Sequence, residues 1–325
     1  MSDRRTWCVA LLCALASPTA VLAAEPYPSK PIRLIVPFPP GGPTDVMGRV
    51  VAKVLGDRLK QTVVVENRAG AGGNLGTDAV AKSAPDGYTL GIGVISSLAI
   101  APQLGAKMPF NVQTDLTPVS MVGIAKGAIV AHPSAPFNDL KGLVAYAKAH
   151  PGKLSYGSSG IGTANHLAGE YLAAVAGIDW VHVPYKGSAQ LAQDLLGGQL
   201  LLSVESSLSS AAPNVQSGKL KAIAITSATR SPLLPQVPTV AEQGFPGFDV
   251  PTWMGLIGPA QLPRDIVTLL DKALVDGLAS SEAAERFAQI GAEPRSSTPE
   301  QFAETIAREN QRWGQVIRNA RITLD

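Results

Sequence analysis

Beyond residue 13 the chain has no cysteine, which excludes disulfide staples and thiol chemistry from the body of the protein. Charge is sparse as well. Only 16% of the 325 residues are Asp, Glu, Lys or Arg, the net charge is +2, and no Lys/Arg run is interleaved with aromatics. Such a surface does not track a phosphate backbone, so nucleic acid is excluded as a partner. The four histidines (His132, His150, His166 and His182) lie 16 or more residues apart, which leaves no compact metal-ligand spacing. Neither a G-x-S-x-G elbow nor an H-E-x-x-H helix occurs, and no tyrosine has lysine four residues later. No catalytic machinery, metal site or cofactor is therefore expected. After the first residues there is no uninterrupted apolar stretch of 18 or more, so nothing is long enough to span a bilayer.

The start of the chain has the three parts of a secretory leader: Arg4 and Arg5, the apolar stretch Trp7 to Ala16, and the small-residue site Val21-Leu22-Ala23. Cleavage is expected near Ala23, giving an exported mature protein. Cys8 and Cys13 fall inside the leader, and neither follows a small residue as a lipid-modified cysteine would. The remaining length exceeds the usual size of one core and predicts two lobes with a cleft between them.

Short β-branched runs alternate with amphipathic segments throughout, the pattern of an α/β chain with parallel strands and crossover helices. Strands are predicted at Ile32 to Val36, Thr62 to Val65, Tyr88 to Val94, one long run from Val119 to Val130, Leu154 to Tyr156, Val181 to Val183, Leu200 to Val204 and Trp253 to Gly258. Helices are predicted from Met47 to Leu59, Ala164 to Ala176 and Ala189 to Leu196. Two more are opened by Pro263 and Pro299, the latter with Thr298 as cap and Gln301 three residues on.

Two strand-to-helix loops draw attention. Pro37 to Asp45 is rich in Pro and Gly, so its backbone N–H groups and the helix start can face an anion; Thr44 can cap the helix or donate its hydroxyl. Ser155 to His166 repeats the device with Ser159, Thr163 and Asn165, where capping by Thr163 is the competing role. Tyr185 and Lys186 end one strand and Glu205 another, at the edge where α/β folds bind ligands; a surface lysine and a structural carboxylate are the competing readings. Gly157 to Gly162 is similar to a nucleotide loop, which makes a nicotinamide-dependent oxidoreductase the alternative from another class. A periplasmic sensor component is the second.

Taken in order, Tyr27-Pro28-Ser29-Lys30-Pro31-Ile32-Arg33-Leu34-Ile35-Val36-Pro37-Phe38, Pro40 to Asp45, Val65-Glu66-Asn67-Arg68-Ala69-Gly70-Ala71-Gly72-Gly73, Ala84-Pro85-Asp86-Gly87-Tyr88, His182-Val183-Pro184-Tyr185-Lys186-Gly187 and Val237-Pro238-Thr239 resemble the Bug family of extracytoplasmic solute receptors. These receptors serve tripartite tricarboxylate transporters. The resemblance implies a type II periplasmic-binding-protein fold of two doubly wound lobes. Lobe 1 would be residues 24–125 with 250–325 and lobe 2 residues 126–249, crossing near Ala125 and Val250. It also implies a monomer that binds a small carboxylate and meets the membrane subunits of such a transporter. The implied ligand-binding residues are Phe38, Pro40, Gly42, Thr44 and Asp45; Ser96 and Ser97; Ser159, Gly160, Thr163 and Asn165; and Tyr185, Lys186, Gly187 and Glu205. Leu201 to Glu205 departs from the family's usual Asp-Leu-Met-Phe-Asp, and Ile95 to Leu98 lacks a frequent histidine or threonine.

Overall fold

The computed structural model describes residues 26–323, apart from 106, 107 and 210. The leader, the expected cleavage site and both cysteines lie outside the described residues.

The chain first winds one sheet. Strand β1 (Ile32–Val36) pairs in parallel with β2 (Val63–Asn67) on one side and β3 (Thr89–Val94) on the other, and all of its residues but Arg33 are buried. Helix α1 (Pro43–Leu59) makes the first crossover, and Met47, Val50, Val51, Val54 and Leu55 recur on its buried stripe. Gly48 lets it lie close to the sheet: a Cβ there would stand 2.5 Å from Val36 Cγ2. Helix α2 (Asn74–Ala81) makes the second crossover.

The run from Val119 to Val130 is two strands, not the single one its composition predicts. β4 (Leu116–Ala125) belongs to the first sheet and β5 (Ala128–Ala131) to a second. Gly127 lies between them against the Glu205 carbonyl and the Thr226 hydroxyl, with no room for a side chain. Hydrophobicity is continuous across this point, so periodicity cannot detect the break.

The second sheet has the order β7-β6-β8-β5-β9. Its remaining strands are β6 (Ser155–Ser158), β7 (Val181–Pro184), β8 (Leu202–Glu205) and β9 (Lys221–Ile225). Helices α3 (Leu140–Ala149), α4 (Ala164–Ala176), α5 (Ser188–Leu196) and α6 (Ala211–Gln216) connect them. The chain then returns through β10 (Thr252–Pro259), which inserts antiparallel between β3 and β4 of the first sheet. It ends with α7 (Arg264–Leu278), α8 (Ser281–Gln289), β11 (Ala292–Pro294) and α9 (Pro299–Ala320). Both sheets are therefore mixed, because the chain re-enters the first by β10 and begins the second with β5, which runs antiparallel to β8 and β9.

Helix α9 starts as its sequence predicts. The Thr298 hydroxyl accepts from Gln301 N while the Gln301 side chain accepts from Thr298 N, a complete capping box. From there it packs on β4 of the first sheet and on α4 of the second. Its Phe302 is fully buried and meets Trp253 edge-on, ring centroids 5.8 Å apart. Replacing Phe302 by Ala is expected to cost about 3–5 kcal/mol, read as a lowered denaturant midpoint. A midpoint unchanged within error would mean that α9 does not share the core.

Candidate functional site

Strand order reverses once in each sheet. In the first, β2 and β3 flank β1; in the second, β7 and β8 flank β6. Loops leaving such strands diverge and open a crevice at the strands' carboxyl ends. The crevices of the two sheets face each other and form one cleft enclosing about 580 Å³, its open mouth included. The loops touch at the rim: a Cβ on Gly187 would lie 3.3 Å from Pro39 Cγ, and one on Gly72 would lie 3.0 Å from the Ile161 carbonyl oxygen.

Three helices begin at this cleft. α1 starts after Gly42, which contributes no side-chain cap, so the amides of Thr44 and Asp45 have no intrahelical acceptor. α5 starts after Gly187, also without a side-chain cap. α4 starts at Thr163, whose hydroxyl accepts from His166 N at 3.4 Å and donates to Gly160 O at 2.6 Å. The positive ends of all three therefore converge, which favours an anion.

Of the residues expected at the site, Phe38, Pro40, Gly42, Thr44 and Ser96 line the cleft from the first sheet's side. Ser159, Thr163, Asn165, Lys186 and Gly187 line it from the second. Their hydroxyls are not equivalent. Thr163 spends its own on the cap, and Ser159 donates to Asn165 Oδ1 at 2.9 Å while Asn165 Nδ2 donates to Val204 O at 2.8 Å. Thr44 and Ser96 are buried, at 6% and 4% exposure, and no hydrogen-bond partner holds either hydroxyl among the described residues.

The other five expected residues do not line the cleft. Asp45 is buried beneath the loop and accepts from Gly41 N (2.9 Å), Arg49 Nε (2.9 Å) and Asn67 Nδ2 (2.8 Å). Burial alone would raise its carboxyl, but Arg49, the Gly41 amide and Asn67 together hold it below the usual range. Ser97 bonds to Thr77 and to Val94 O. Tyr185 donates its hydroxyl to Asp194 at 2.9 Å. Gly160 supplies a carbonyl to Thr163 with φ near 140°, a conformation that suits glycine. Glu205 is buried and accepts from Ser203 at 2.7 Å, and burial, opposed by Ser203, pushes it up to about 7.

Ser206, Thr252, Met254 and Val94 line the cleft without having been expected. Alternation past the end of β8 could have indicated Ser206, since Glu205 faces the other way. Nothing local marks Thr252 or Met254, because β10 reads as a strand buried on both faces. Thr252 is 8% exposed and its hydroxyl also lacks a partner among the described residues.

The family model described as "Tripartite tricarboxylate transporter family receptor" matches residues 47–322. The chain belongs to that family of solute receptors. It is 42% identical to Protein BugT of Bordetella pertussis over 311 residues, 95% of each chain. A solved structure of R. palustris Rpa4515 with adipate superimposes with a TM-score of 0.87 at 33% identity, covering 91% of this chain and 99% of that one. MatC from Rhodopseudomonas palustris with bound malate gives 0.84 at 31%, covering 90% and 100%. The receptor therefore has the two-sheet α/β periplasmic-binding-protein fold, is a periplasmic binding protein, and is not an enzyme. The nucleotide-loop alternative falls with that assignment.

Behind the α4 loop of the receptor, His166 and His182 stack with ring centroids 4.0 Å apart. Gly162 N donates to His166 Nδ1 at 3.1 Å, so that ring nitrogen must be unprotonated; His182 Nε2 pairs with Ser158 Oγ at 2.6 Å. Burial, and for His166 also the neighbouring His182, lowers them to about 3 and about 4. Unfolded histidine protonates near 6.5, so below that pH the unfolded chain binds the extra protons and the pair's contribution to stability is lost toward pH 4. Glu205 opposes this: folded it keeps a proton up to about 7, which favours the folded state between there and the ordinary carboxyl range. Two groups outweigh one, and His182 is partly screened by water. Stability is thus expected to fall by up to about 1 kcal/mol per pH unit between pH 6 and 5, and more steeply in Glu205→Gln. Denaturant midpoints measured across pH 7 to 4.5 check this; a flat profile would mean that the histidine pair takes up protons in the fold as it does in the unfolded chain.

Proposed function

We propose that this receptor captures a small carboxylate-bearing solute in the cleft and presents it to the membrane subunits of a tripartite tricarboxylate transporter. One observation carries the reading. Three hydroxyls without partners among the described residues, on Thr44, Ser96 and Thr252, line a space onto which helix amino ends open. A carboxylate, directly or through ordered water, would accept from these hydroxyls and from the amides of α1 and α4. The carboxylates held by two relatives, adipate and malate, support the same chemistry.

In this reading residues 24–125 with 250–325 form one lobe and 126–249 the other. The lobes open about the crossings beside Ala125 and Val250, and the rim contacts at Pro39–Gly187 and Gly72–Ile161 belong to the closed form that the transporter reads. The mature chain, cleaved near Ala23, acts as a monomer. Thr163, Asn165 and Asp45 position the loops, while Thr44 and Ser96 meet the solute.

Thermal unfolding of residues 24–325 against a panel of carboxylates tests the proposal. A solute present at about a hundred times its dissociation constant adds roughly 2.7 kcal/mol and should raise the midpoint by about 5 °C. Thr44→Val should weaken that solute by about tenfold to a hundredfold and leave the unliganded midpoint within about 1 °C. Absence of a shift with any carboxylate would refute the proposal.

A further inference from the structure

We infer that a second cavity, on the far side of the two crossings from the cleft, limits how far the cleft opens and thereby sets the receptor's affinity without touching the solute. This rests on the two sheets moving as lobes about those crossings. The cavity encloses about 630 Å³, its open mouth included. Ala284 and Ala288, one turn apart on α8, line it from the first sheet's side. Pro232 and Leu233 line it from the second's, and Lys126 of the crossing lines it as well.

Strand order places this cavity. In the first sheet, β11-β4-β10-β3-β1-β2, the chain leaves by β4 and returns by β10, which are neighbours. On one side of that pair lie Val94, which ends β3, and Phe38, which follows β1, both lining the cleft. On the other side lies β11, whose Ala292 and Pro294 line the second cavity. In the second sheet, β7-β6-β8-β5-β9, the crossings join at β5 and just beyond β9, where Val250 N donates to Thr226 O at 2.8 Å. Cleft residues Ser159, Lys186 and Ser206 follow β6, β7 and β8, whereas Pro232 and Leu233 follow β9. Both sheets therefore have the same order along their facing edges: cleft, crossings, second cavity.

The halves already touch beside this cavity. Ser207 Oγ donates to Ile290 O at 2.7 Å, and a Cβ on Gly291 would stand 3.0 Å from Leu208 Cβ and 3.1 Å from Leu233 Cδ1. Lys126 ties both halves at the crossing itself, donating to Arg230 O at 3.1 Å and pairing with Glu293 at 3.2 Å. Close-packed sheets resist deformation, so they turn as levers about such a pivot. A turn that parts the rim at Pro39–Gly187 therefore drives α8 toward Pro232 and Leu233, and the empty volume between them is the room for that travel. Filling it leaves the closed form undisturbed and blocks the open one. Apparent affinity scales with the fraction of the binding-competent form, so a side chain placed there tightens binding from outside the cleft.

Spin labels read the motion without any solute. Val64 on β2 and Val181 on β7 are exposed, at 52% and 46%, and their strands are the sheet edges on the cleft side of the crossings. Labels on Val64→Cys and Val181→Cys in residues 24–325, which hold no other cysteine, report cleft opening as a lengthened distance. The unliganded protein should show a short and a longer distance. Ala288→Phe, at an exposed position that keeps the variant folded, should cut the longer population at least about threefold. In calorimetric titration without labels it should tighten adipate or malate by about threefold to tenfold. Ala284→Phe should act in the same direction, and Ala288→Ser, which fills nothing, should leave distances and binding unchanged. A longer population that survives in both Phe variants would overturn the inference, as would a single distance in the unliganded protein, since no opening would then be limited. Tighter binding with unaltered distances would also overturn it, because the gain would not come from opening. Failure of both acids to bind bears on the carboxylate reading alone; the distances, measured without solute, still decide this inference.

Discussion

The N–H groups that open a helix have no acceptor inside it, and in this protein three helices open onto one space. Everything nearby is arranged around that fact. The loop before α1 is short and glycine-bearing, so its backbone can approach a ligand closely. Asp45 is drawn beneath the loop by Arg49, Asn67 and Gly41, which removes a negative charge from a place where it would compete with an anion. The α4 loop is braced by Ser159, Asn165 and the Val204 carbonyl, so its amides are aimed before any ligand arrives. Such a site holds an anion with dipoles and hydroxyls and little formal charge, a favourable basis for a receptor that must also release its cargo.

The two sheets are coupled through few segments. β4 leads toward β5 through Lys126 and Gly127, β10 carries the chain back, and α9 lies across α4. Close packing is concentrated where these meet, around Gly127 and the Phe302–Trp253 pair. The rim contacts, by contrast, involve loop backbone and proline rings. Contacts of that kind can form and break without exposing a core, whereas the sheets themselves are close-packed and stiff.

The buried titratable groups divide by what they support. His166 must be neutral to accept from Gly162 N, and burial disfavours charge on the stacked His182, so the pair steadies the α4 loop at the expense of acid tolerance. Glu205 sits on the other face of the same sheet and keeps its proton more readily than an exposed carboxyl, which partly offsets that loss. Neither group lines the cleft, so acid is expected to affect the scaffold before it affects the solute directly.

Much of this was legible in the residues. The β1 run, the start of α4 at Ala164, the capping box of α9 and the two Pro/Gly/Ser loops are local signals, and local dihedral preference and hydrogen bonding decide them. The resemblance of ordered motifs to the Bug receptors likewise gave the fold and family. Tertiary structure alone decided the break at Gly127, which depends on the Glu205 carbonyl, and the antiparallel entry of β10 that brings Thr252 and Met254 to the cleft. It also decided which polar side chains are already spent: Thr163, Ser97, Tyr185 and Glu205 look as available in sequence as Thr44 and Ser96. Residue type sets what a side chain can bond to. Only packing sets which partner reaches it first.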